Sequence, residues 1–71
     1  MNIEAYIPEN MKNAEIVIYN VLGIIIKRYN LELGYNAITV LKDDIGTEGI
    51  YFCALKAQER LLNISKMIIN R

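Results

Sequence analysis

Ala14-Glu15-Ile16-Val17-Ile18-Tyr19-Asn20-Val21-Leu22-Gly23 is a β-rich run that breaks at an asparagine and closes on a glycine. Successive side chains of an extended strand leave on opposite sides, so Ala14, Ile16 and Ile18 share one face and Glu15, Val17 and Tyr19 the other. The first set is predicted to face the core. Residues 20–23 turn the chain, with Gly23 free to take the positive φ such a turn needs. Residues 24–31 are predicted to return as the second arm of a hairpin, with Lys27 and Tyr29 on its outer face.

The same reading extends in both directions. Residues 2–7 alternate and stop at Pro8, which cannot donate to a ladder, and residues 8–13 read as a loop. After a turn opened by Gly34, Ile38 and Val40 alternate with Thr39 and Leu41, and residues 42–48 form a polar connection. Beyond Gly49 the chain is apolar on both parities, Tyr51, Cys53 and Leu55 on one and Ile50, Phe52 and Ala54 on the other, which predicts a strand in the middle of a sheet. Local propensity in residues 57–68 favours a helix. Short strands recurring at roughly 8 to 12 residues, punctuated by Gly and Asn, predict an all-β sandwich or barrel.

Composition narrows the chemistry. A chain of 71 residues is one domain at most and near the lower size limit for folding alone, where only about 60% of the unfolded surface is buried. Its 54% hydrophobic content is led by isoleucine, so β-branched side chains supply the core. Eight basic and eight acidic residues cancel, leaving no basic footprint for nucleic acid or anionic lipid. One cysteine and no histidine argue against an internal disulfide, a metal centre or a triad. Asp43 and Asp44 are adjacent and would diverge, so they read as a solvated loop and not as a paired-carboxylate site. Cys53 has no histidine to activate it and reads as a small buried apolar residue. Tyr6, Tyr19, Tyr29, Tyr35 and Tyr51 invite a sugar-stacking reading, but they are scattered over several elements, and only Tyr19 and Tyr29 are placed as cross-strand neighbours.

Four ordered segments carry a family resemblance: residues 16–23 with Asn20 and Gly23, Gly34-Tyr35-Asn36, Gly49-Ile50-Tyr51, and the final Lys66-Met67-Ile68-Ile69. Each glycine alone is an ordinary turn residue; their order is what resembles the C-terminal sorting domain of proteins exported by the type IX (Por) secretion system of the Bacteroidetes. That resemblance implies an all-β fold, a small Ig-like β-sandwich of about seven antiparallel strands. It also implies a tight turn between two strands in residues 57–68, in place of a helix. Asn20, Gly23, Gly34, Asn36, Gly49, Tyr51, Lys66, Met67, Ile68 and Ile69 are then the expected sorting-motif and fold residues.

The sequence departs from the family pattern in two places. Ile24 and Ile25 follow Gly23 where a polar or basic residue is usual, and Gln58-Glu59-Arg60 replaces a glycine-containing turn. Consecutive Ile24 and Ile25 point to opposite faces, so at least one is expected to be exposed or to serve self-association.

The resemblance implies a non-enzymatic sorting signal, without cofactor or metal. Its partners would be an upstream cargo domain and the outer-membrane secretion and sortase machinery, and its destination the cell surface or medium by way of the periplasm. Residues 1–5 carry an acidic residue and no basic n-region, and no apolar run approaches the roughly 18 residues that span a bilayer. With no signal peptide in view, residues 1–71 are expected to be a single domain from a longer secreted protein. The residues leave two other readings open, a structural or adhesive β-sandwich and a glycan-binding module.

Overall fold

The structure, a computed structural model, describes residues 2–69. Six strands and one helical turn follow one another as β1 (Asn2–Ile7), β2 (Glu15–Asn20), β3 (Ile25–Asn30), β4 (Gly34–Thr39), α1 (Lys42–Ile45), β5 (Gly49–Ala57) and β6 (Arg60–Ile69). All the strand pairs are antiparallel. They form a two-stranded sheet, β1-β4, and a four-stranded sheet ordered β3-β2-β5-β6. This is the small all-β sandwich the sequence predicts, built from six strands.

β5 lies in the middle of the larger sheet, as its two-sided apolar composition predicts, and β2 lies beside it in the middle as well. Ala14, Ile16 and Ile18 are buried as the alternation predicts, and Val17 on the other face is buried as well. Its cross-strand partner Ala54 is equally covered, and on that outer face Lys56 reaches over the Tyr19 ring at 5.3 Å. Long side chains therefore shield small ones at the sheet centre. Fully burying a Val or Ile contributes about 1.5–3 kcal/mol, so the Ile16-Val17-Ile18 triplet is a principal anchor of the domain.

The core between the sheets has two parts. Ile18, Val40, Ile45, Tyr51, Met67 and Ile69 gather at one end; Ile7, Ala14 and Ala57 gather at the other.

Three local readings change. Lys27 and Tyr29 do not mark the outer face of β3: they stand opposite Ile18 and Ile16, Tyr29 packing against the core together with Ile26 while the Lys27 side chain stays exposed at the sheet edge. The register of β2 against β3 shifts between Ile18 and Tyr19, and such a bulge breaks strict alternation. Residues 42–45, read as loop, make one helical turn. There the Asp44 carboxylate accepts from Leu41 N–H at 3.3 Å, and Gly46 N–H donates to Lys42 O at 3.0 Å. That turn drives Ile45 into the core while Asp43 and Asp44 stay exposed. Finally, Cys53 is half-buried and lines a groove of about 200 Å³ between β1 and β6 with Ile3, Ala5, Leu55, Asn63 and Ser65.

The segment 57–68 is extended throughout, apart from a two-residue turn. Gln58 and Glu59 both carry positive φ, 54° and 63°, the backbone signature of the tight turn that usually takes Asn-Gly. Non-glycine residues are disfavoured there. Tertiary bonds compensate: Gln58 N–H donates to Lys12 O at 3.0 Å and Gln58 Nε2 to Asn10 O at 2.8 Å.

Candidate functional site

Three of the four motif segments lie side by side at one end of the four-stranded sheet. Asn20, the last residue of β2, is opposite Tyr51 on β5, and Tyr51 is opposite Met67 on β6. Gly49 is opposite Ile69, Ile50 opposite Ile68, and Phe52 opposite Lys66. The fourth segment stands apart. Gly34 and Asn36 sit on β4 of the smaller sheet, opposite Ile7 and Ala5.

Both motif asparagines hold turns. Asn20 Oδ1 accepts from Leu22 N–H and Ile24 N–H, each at 3.0 Å, while Gly23 N–H donates to Asn20 O at 3.0 Å. Gly23 closes this turn with φ of 82°, a conformation that favours glycine. Asn36 does the same for the β3–β4 connection, with Oδ1 accepting from Glu32 N–H at 2.9 Å and Nδ2 donating to Glu32 O at 2.8 Å. Aspartate would supply the acceptor without the donor.

Held in this way, the β2–β3 turn presents apolar side chains to solvent. Leu22 is 80% exposed, Val21 65%, Ile24 56% and Ile25 40%. Both isoleucines of the unusual pair are thus outside the core. Across the outer face the apolar strip continues through Tyr19, opposite both Ile25 and Phe52, to the exposed pair Ile50 and Ile68. A shallow groove of about 260 Å³ borders the strip, lined by Asn20, Val21, Ile45, Glu48, Ile50 and Tyr51.

The motif residues divide into buried and displayed. Met67 and Ile69 are core residues, 5% and 8% exposed, whereas Lys66 and Ile68 face outward. Tyr51 is buried with its hydroxyl bonded to the Thr47 hydroxyl and donating to Thr47 O, both at 2.8 Å, which fastens the approach to Gly49. Gly49 itself has φ of 146°, and a β-carbon added there would meet only Tyr51 Cε2 at 3.9 Å.

The titratable groups with displaced pKa values do not assemble into a reactive centre. Burial pushes the Cys53 thiol up, away from the reactive thiolate form. Tyr29 is raised by burial first, with the charges of Asp44 and Cys53 adding to it. Tyr35 is raised by the hydrogen bond its hydroxyl donates to Glu4, 2.7 Å long. Among the described residues no three His, Cys, Asp or Glu side chains cluster in a way that could hold a metal ion.

Sequence reasoning missed the inward Tyr29 and the helical turn that buries Ile45. A lone isoleucine inside the polar run 42–48 was the available signal for the second; the bulge behind the first leaves no local mark.

A family model described as the secretion system C-terminal sorting domain matches residues 1–70. The chain belongs to that family. Comparison with curated proteins and with solved structures gives no match for it.

Proposed function

We propose that this chain is the non-catalytic tail that directs an upstream cargo protein through the type IX secretion system to the cell surface or medium. The reading is carried by one observation: segments far apart in sequence, residues 20–23, 49–51 and 66–69, adjoin at one end of the larger sheet. There a pinned apolar turn and the outward Lys66 and Ile68 form one surface for the outer-membrane secretion and sortase machinery. Gly34 and Asn36, at the start of the smaller sheet, act as fold determinants. The route runs through the periplasm behind an N-terminal signal carried by the cargo.

The test is a fusion. A reporter with a Sec signal and this segment at its C-terminus is exported by a Bacteroidetes host with an intact type IX system. Deleting residues 66–71 leaves the reporter periplasmic, with proteolytic stability of the truncated fusion measured alongside. Equal export by a strain lacking the system, or by a stable truncated fusion, overturns the proposal.

A second reading, a structural or adhesive module that self-associates through Ile24 or Ile25, is favoured by their exposure. It requires a wild-type dimer that Ile25→Lys shifts to monomer in sedimentation.

A further inference from the structure

β6 is an edge strand, and among the described residues no strand pairs with its far side; within it the Ile64 N–H donates to the Asn63 side-chain oxygen at 2.8 Å. Such an edge is a ready template for another strand. The ladder between β5 and β6 shifts at Leu55/Lys56, where Asn63 is opposite Leu55 and Leu61 opposite Lys56, so Leu62 is the extra residue of a bulge. The regular part of the edge is therefore the seven residues from Asn63 to Ile69. Its middle residue is Lys66.

That position has two consequences. Antiparallel pairing of two copies over the whole regular run would set Lys66 against Lys66, and like charges directly opposite are destabilising. Lys66 also makes no ion pair among the described residues; its cross-strand neighbour on β5 is Phe52. On the same outward face, two residues away on either side, stand Ile64 and Ile68, 52% and 59% exposed. The strip reads apolar, cationic, apolar.

We propose that the free edge of β6 receives an extended strand from a different protein, paired antiparallel. That strand carries Asp or Glu opposite Lys66 and apolar residues opposite Ile64 and Ile68. Backbone pairing supplies affinity, and the alternating side chains supply selectivity. Lys66 selects the acidic strand and rejects a second copy of the chain. The proposal deepens the sorting reading, on which the identity of the partner rests.

The experiment titrates two synthetic nine-residue peptides, alternating Val and Thr around a central Glu or a central Lys, into the full chain while the backbone amides are followed by NMR. The Glu peptide binds about fivefold more tightly than the Lys peptide, with shifts concentrated on residues 63–69. Lys66→Glu, checked for unchanged β structure by circular dichroism, inverts the order. Equal affinities, an order unchanged in Lys66→Glu, shifts on the edges of β1 or β3 instead, or no binding of either peptide overturns the proposal. Export is measured separately, so loss of the sorting reading with peptide selectivity intact leaves the strip standing without its proposed client.

Discussion

Two tyrosine-to-phenylalanine substitutions, chemically identical, are expected to move stability in opposite directions. The Tyr51 hydroxyl makes two 2.8 Å bonds to Thr47 from a residue that is 4% exposed. At about 0.5–1.5 kcal/mol net for each bond, Tyr51→Phe costs about 1–3 kcal/mol. The Tyr29 hydroxyl is buried and has no hydrogen-bond partner among the described residues. A buried unsatisfied hydroxyl is a liability, so Tyr29→Phe is neutral or stabilising by up to about 1 kcal/mol.

The gap of about 2 kcal/mol corresponds to roughly 8–16 °C in Tm for a domain of this size, well within reach of thermal denaturation followed by circular dichroism. Alkali adds a second readout. Tyr29 ionises later folded than unfolded, so its contribution is intact below pH of about 10 and is lost as pH rises through the folded value. Wild type therefore loses stability more steeply than Tyr29→Phe above pH of about 10. If both variants shift Tm in the same direction by similar amounts, the hydrogen-bond reasoning is refuted.

Gly49→Val should cost about 1–3 kcal/mol through backbone strain alone, because the added β-carbon meets nothing closer than 3.9 Å; an unchanged urea midpoint would show that the φ of 146° is not binding on the sequence. Asn20→Ala removes the acceptor for two N–H groups and should cost about 1–2 kcal/mol, with faster amide exchange at Leu22 and Ile24 as its local signature. Glu59→Gly relieves a positive φ in the β5–β6 turn and should stabilise by about 0.5–1 kcal/mol; destabilisation in the same urea assay would mean that the Glu59 side chain has a role beyond its backbone.

Much of this fold is written locally. The alternation of Ile16 and Ile18, the two-sided apolar character of residues 50–55 and the stop at Pro8 each name an element without help from elsewhere, and Asn20 with Gly23 names the first hairpin. What the sequence leaves undecided depends on distant partners. Residues 57–68 carry helix-forming side chains, yet pairing with β5 overrides that propensity, and Gln58-Glu59 can turn tightly because Asn10 and Lys12 bond to Gln58 across the molecule. Tyr29 turns inward because Ile26 is the extra residue of a bulge in its own strand, which sets Tyr29 opposite Ile16. The candidate surface was legible as motifs and illegible as a place. Register put residues 20, 51 and 67 in one row, whereas Met67 and Ile69 proved to be core and only Lys66 and Ile68 are displayed.

Among the described residues the two sheets share no ladder. β1 and β4 hold each other by backbone pairing and pack on the larger sheet through Ile3, Ile38 and Val40, so among the described residues the domain has one internal seam across which no hydrogen-bonded strand pair must break. Opening along that seam exposes Ile3, Ile7 and Ile38 while the four-stranded sheet stays paired. The chain accordingly divides into two units, a four-stranded sheet that keeps residues 20, 51 and 67 in one row and a two-stranded flap whose amides are expected to exchange first when hydrogen exchange is followed by NMR.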